Sequence, residues 1–165
     1  MTVAEWCIFG SIMLALLTIA PVKPLAGREF DNANPRDPQF YEKPVRRRAL
    51  GAHINGLETF PFFAVSILLA EFRHSPQSWV DALAVAFMLA RIAFVVAYIG
   101  DRSTLRTILW NIGMAFNLAI FFLSGFGKSG ALVVTLLGLL FALFTGLVLV
   151  VSGRTPTSAT GQGGR

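Results

Sequence analysis

The side chains able to do chemistry in this chain lie inside stretches that are otherwise apolar, and they recur at helical spacing. Arg48, Gly51, Asn55, Glu58 and Phe62 follow one another at steps of three and four residues, as do Arg91, Phe94 and Tyr98, and again Arg106, Trp110, Gly113 and Asn117. Each set therefore shares one helix face. An ionisable group in the middle of a membrane span costs roughly 3 kcal/mol unless it faces protein or a wet cavity, so three such stripes point to one shared interior.

Depth follows from the helical rise of about 1.5 Å per residue. Glu58 lies ten residues inward from Arg48, Arg91 ten from Asp101 and Asn117 eleven from Arg106, which puts all three about 15 Å below one boundary. A Glu58–Arg91 ion pair is expected there, with Asn55 and Asn117 completing its hydrogen bonds, because an unpaired charge in hydrocarbon changes protonation or drags in water. Nearer the boundary come His53, Tyr98, Arg106 and Trp110, with Arg46, Arg47 and Arg48 at the mouth. A polar floor, an aromatic wall and a basic rim would attract and hold an anionic amphipathic ligand. The competing reading is structural, with polar side chains gluing helices together and basic span ends setting topology. Asn111 and His74 carry no signal of a role. Cys7 is the single cysteine, so no disulfide can form within the chain, and no Cys/His spacing resembles a metal site.

The elements that position these residues are apolar stretches of about 20 residues, the length of a membrane span. Five are present, roughly 4–22, 49–70, 81–100, 106–126 and 129–151, in a chain whose charged residues make up 14%, where a soluble domain has about 25%. The expected fold class is an all-α membrane protein. Met1 to Trp6 holds Glu5 and no Lys or Arg, so the first stretch reads as a retained helix and not as a cleaved signal. The net charge of +5 sorts by loop instead of forming a patch for nucleic acid. Of 14 Lys and Arg, eleven fall beside the first and third connections and the C-terminus, against Arg73 and Lys128 on the other side. The positive-inside rule then puts the N-terminus out and the C-terminus in the cytoplasm, with an odd number of spans. The first connection, Lys23 to Arg48, is rich in Pro, Asp and Asn, and is either a cap over a site or a plain tether. Gly125, Gly127 and Gly130 are expected to break the fourth helix from the fifth. The chain thus divides into a bundle at 1–126, an additional helix at 127–152 and a Thr/Ser/Gly-rich tail at 153–165, expected to be disordered and cytoplasmic.

The run Arg48-Ala49-Leu50-Gly51-Ala52-His53-Ile54-Asn55-Gly56-Leu57-Glu58-Thr59-Phe60-Pro61-Phe62 resembles the second-helix signature of the MAPEG family, membrane-associated proteins in eicosanoid and glutathione metabolism. That signature has an Arg, then Ala-His-x-Asn-x-x-Glu, then Pro-Phe. Tyr98 seven residues after Arg91, and Arg106-Thr107 opening the fourth helix, resemble the family's next two helices, and Phe30 to Arg36 resembles its bacterial branch. The resemblance covers about 1–126, leaving an extra C-terminal helix outside it. It implies a four-helix bundle assembled as a homotrimer, with glutathione or another low-molecular-weight thiol bound between subunits on the cytoplasmic side. It also implies that Arg106 activates the thiol, since a guanidinium near sulfur favours the nucleophilic thiolate. Arg48, Asn55, Glu58, Arg91 and Tyr98 match cosubstrate-binding positions, and His53 and Trp110 join them as candidates. The chain departs from active members at Gly51 and Ile54, where further Arg residues tend to stand, at Phe94, where some have His, and at Trp110, in place of a tyrosine. The expected function is a glutathione- or thiol-dependent transferase or peroxidase in the bacterial inner membrane, acting on lipophilic electrophiles that arrive through lipid, with no metal. The alternative is a non-catalytic module of the same fold with a structural or partner-binding role.

Overall fold

Most helices are apolar on every side, so their outer faces are finished by lipid. Val65, Leu68, Leu89, Val96 and Leu140 are all more than half exposed. The computed structural model describes residues 1–152; the tail expected at 153–165 lies outside the described residues. The helices are α1 (Val3–Ile19), α2 (Val22–Ala26), α3 (Pro44–Phe72), α4 (Gln77–Ile99) and α5 (Ser103–Ser152), with single 3-10 turns at Gly27–Glu29 and Gln39–Tyr41. Four helical runs are long and apolar enough to cross a membrane, which makes this an all-α, multi-pass membrane protein.

Each helix end has a local cause. The Thr2 hydroxyl accepts the Glu5 N–H at 3.1 Å while the Glu5 carboxylate accepts the Thr2 N–H at 2.7 Å, a capping box that starts α1. Pro44 opens α3, where its missing N–H is not needed. The α3–α4 turn is a Schellman motif, Ser75 N–H donating to Ala70 O and His74 N–H to Glu71 O; Arg102 to Ala97 and Asp101 to Tyr98 repeat it after α4. The left-handed position is held by His74 (φ 53°) and Asp101 (φ 61°), at a cost of about 1 kcal/mol each. His74 thus has a structural role that its sequence context did not signal.

Gly127, at φ 66° and ψ −162°, interrupts α5. A Cβ on Gly138 would fall 2.2 Å from that of Ala115, and one on Gly146 would fall 2.7 Å from Ile108 Cδ1. Contacts of 115 with 138 and of 108 with 146 mean that the arms 103–126 and 128–152 run antiparallel. A further C-terminal helix therefore follows the first arm, and of the three glycines expected to break it from the fourth helix only Gly127 leaves helical geometry.

Tight packing concentrates near the α3–α4 turn. Phe63 and Ile67 of α3, Val80 and Phe87 of α4, and Ile120 of α5 form its centre, with Phe63 and Phe87 stacked at 3.9 Å. The same end carries a polar clasp. Asp81 accepts the Ala4 N–H and the Gln77 amide, both at 2.9 Å, and Glu71 accepts the Thr2 hydroxyl at 2.7 Å. At the opposite end the first connection is a packed element. Phe40 lies 5.1 Å from the Phe30 ring with the Arg46 guanidinium 4.4 Å from its face, and Glu29 binds Lys43 at 2.7 Å and Arg46 at 2.5 Å. Hydrogen bonds from Lys43 and Arg46 hold the exposed Glu29 carboxyl below its ordinary range.

Candidate functional site

Opposite the clasp, α3, α4 and the first arm of α5 enclose a cleft of about 260 Å³ lined by Asn55, Phe94, Tyr98, Arg106, Thr107 and Trp110. Gly51 makes room for it. A Cβ there would stand 2.4 Å from the Tyr98 hydroxyl oxygen, so the glycine admits the phenol against the α3 backbone. Phe94 meets the Tyr98 ring edge-on at 5.5 Å, and the Arg106 guanidinium lies over that ring at 4.5 Å. Among the described residues, neither the Arg106 guanidinium nor the Tyr98 hydroxyl has a hydrogen-bond or ion-pair partner. The cleft therefore offers donors and positive charge with no carboxylate in its lining, suited to an anion or to an atom that becomes one.

Four of the eight candidate residues line this cleft: Asn55, Tyr98, Arg106 and Trp110. Arg91 reaches it indirectly. At 4% exposed, its guanidinium donates to Asn55 Oδ1 at 2.9 Å and lies 4.2 Å from the Phe94 ring centre. Arg48 fastens α3 to the end of α4, donating Nε–H to Ile99 O at 3.0 Å and pairing with Asp101 at 3.1 Å, a cation at a helix C-terminus. His53 accompanies Lys23, Arg36 and Arg47 in a separate cavity of about 770 Å³, its Nδ1 2.7 Å from Ala15 O. Two residues along a helix is a turn of about 200°, so His53 and Asn55 look in opposing directions.

Two expectations fail. The Glu58–Arg91 ion pair is not formed; Glu58 is exposed and unpaired among the described residues. The face of α3 that meets α4 runs Arg48, Gly51 and Asn55 and continues to Thr59, which lines a small cavity beside Arg91. Glu58 sits about 100° away from Thr59, turned out of that seam. Asn117 is fully buried, yet neither of its amide atoms has a partner, so it completes no network. Asn111, which showed no sign of a role, is buried and lines a second groove between the two arms of α5.

The model of the MAPEG family matches residues 3–126. The chain belongs to the MAPEG family. All eight candidate residues fall within the match, and the second arm of α5, beyond the reversal at Gly127, falls outside it. No curated protein and no solved structure gives a match. MAPEG membership ties the chain in general to membrane proteins of glutathione-related transferase and peroxidase chemistry.

Proposed function

We propose that this MAPEG protein is a membrane-bound glutathione- or thiol-dependent transferase or peroxidase acting on lipophilic electrophiles. The observation that supports this reading is the Arg106 guanidinium, 4.5 Å over the Tyr98 ring in the cleft and with no hydrogen-bond or ion-pair partner among the described residues. Cations that fasten helices carry acceptors, as Arg48 and Arg91 do. Arg106 would favour the thiolate, whose sulfur attacks the electrophilic carbon as the leaving group departs with the bonding pair. With a hydroperoxide, two thiols would give a disulfide, an alcohol and water. Asn55, Tyr98, Arg91 and Arg48 would hold the polar groups of the cosubstrate, with Trp110 as an apolar wall.

A homotrimer is part of the proposal. An exposed, unpaired carboxylate on a membrane helix is expensive, so Glu58 calls for cover by a neighbouring copy or by the bound cosubstrate. His53 and its basic cavity face away from the cleft of their own chain, where they would be available to the next subunit. The sorting of basic residues by loop favours a cytoplasmic cleft, with the N-terminus outside the bacterial inner membrane.

Thermal-shift measurements against a panel of low-molecular-weight thiols should raise the melting temperature for the true cosubstrate. Arg106→Ala should lower turnover of a generic electrophile by about 10²–10³-fold with melting unchanged. If no thiol binds the purified protein, the enzymatic reading fails and the non-catalytic alternative stands.

A further inference from the structure

The groove between the two arms of α5 has a volume of about 360 Å³. Its arms approach to backbone contact where Gly138 meets Ala115, and larger side chains, Leu118, Leu137 and Phe141, surround that contact. Asn111, the amide in the lining, donates to Thr107 O at 3.0 Å, and the rest of the lining is aliphatic or aromatic, so the groove presents a largely apolar surface to an occupant. Trp110 lines both this groove and the Arg106 cleft. From Trp110 to Leu118 the groove follows the helix for about 12 Å, and Trp110 stands one helical turn from Arg106.

We propose that this groove receives the aliphatic tail of the electrophile and thereby selects which acceptors reach the thiolate; the proposal rests on the thiol-transfer reading of the Arg106 cleft. One wall comes from residues 128–152, outside the family match, so the selection belongs to the added span. The acceptor class is a long-chain α,β-unsaturated carbonyl compound. Its tail suits an apolar groove open to lipid, and its carbonyl oxygen, which gains charge during the reaction, suits the uncommitted donors of Tyr98 and Arg106. A sulfur lone pair forms the C–S bond at the β-carbon and the π electrons move to oxygen. The enolate then takes a proton from water at the α-carbon, so that the thiol adds across the double bond with no oxidant and no leaving group. A tail moving from lipid into the groove exchanges one apolar surround for another, so the groove discriminates by shape, not by hydrophobic affinity.

The test uses the full-length protein in lipid nanodiscs with glutathione, or with whichever thiol stabilises it, and compares 2-dodecenal with crotonaldehyde. Val134→Trp fills the groove from the second arm, away from the cleft lining. It should lower kcat/KM for dodecenal about tenfold or more and leave that for crotonaldehyde unchanged. Leu137→Ala, which widens the groove, should improve turnover of branched long-chain enones relative to crotonaldehyde. An unchanged substrate ratio in both variants of an active enzyme, as expected if a bilayer lipid fills the groove, overturns the groove proposal alone. Equal loss for long and short acceptors in Val134→Trp also overturns it. A wild type that turns over a generic electrophile but neither aldehyde overturns the groove proposal with its acceptor class; one that turns over no electrophile sinks the enzymatic reading and the groove with it.

Discussion

Where α1 begins, Asp81 answers donors from Ala4 and Gln77 and Glu71 answers the Thr2 hydroxyl; where α5 begins, the Arg106 guanidinium and the Tyr98 hydroxyl have no hydrogen-bond or ion-pair partner among the described residues. The first end also holds the stacked Phe63 and Phe87 and most of the buried apolar side chains, while the second holds the cleft. The difference separates two tasks. Order is supplied by the end whose polar groups are matched, which leaves the other end free to keep charged donors unmatched for a ligand. Arg91 and Asn55 join the two regimes: the guanidinium is buried in the manner of the core, and its acceptor also lines the cleft.

Substitutions that treat the two ends alike would break this comparison. The largest effect is the loss of turnover in Arg106→Ala, at unchanged melting, described above. Next comes Asn117→Leu, which removes a buried amide without partners and should raise resistance to denaturant by about 2 kcal/mol, with turnover per folded molecule constant. Gly51→Ala should displace the Tyr98 phenol, and titration calorimetry should show thiol affinity reduced about tenfold, a cost of about 1.4 kcal/mol typical of overpacking. Asp81→Ala should show the converse, a stability loss of about 1 kcal/mol with kcat/KM untouched. The smallest effect belongs to the capped connection. The Glu29 carboxyl is held below its ordinary value of 4.5, so its contribution is complete above that pH and fades as pH falls through the lowered value. Melting of wild type and Glu29→Gln should differ at neutral pH and converge in acid.

Hydropathy made the spans legible, and the periodic stripes made Asn55, Arg91, Tyr98, Arg106 and Trp110 legible as a group, because rise per residue and face are properties of a single helix. Pairing across helices is not. Asn55 and Glu58 differ by one turn in depth and by about 60° in direction, and the α3–α4 seam, set by Gly51 against Tyr98, takes the first and turns the second outward. Asp81 and Glu71 went unremarked because an acidic residue at a span end looks like any solvated one; their partners, Ala4 and Thr2, come from the far end of the sequence. The groove between the arms of α5 likewise depends on the register of Gly138 with Ala115, which no periodicity within one helix reveals.

Gly127 has a consequence for how the chain enters a membrane. Uninterrupted, the 50 residues of α5 would make a rod about 75 Å long, more than twice the hydrocarbon thickness of about 30 Å. One residue with a positive φ folds that rod in half, so the side on which the second arm ends depends on the backbone torsions of Gly127 alone. Gly127→Val, read by a reporter fused to the C-terminus, would ask the insertion machinery to choose between a hairpin and a stranded helix.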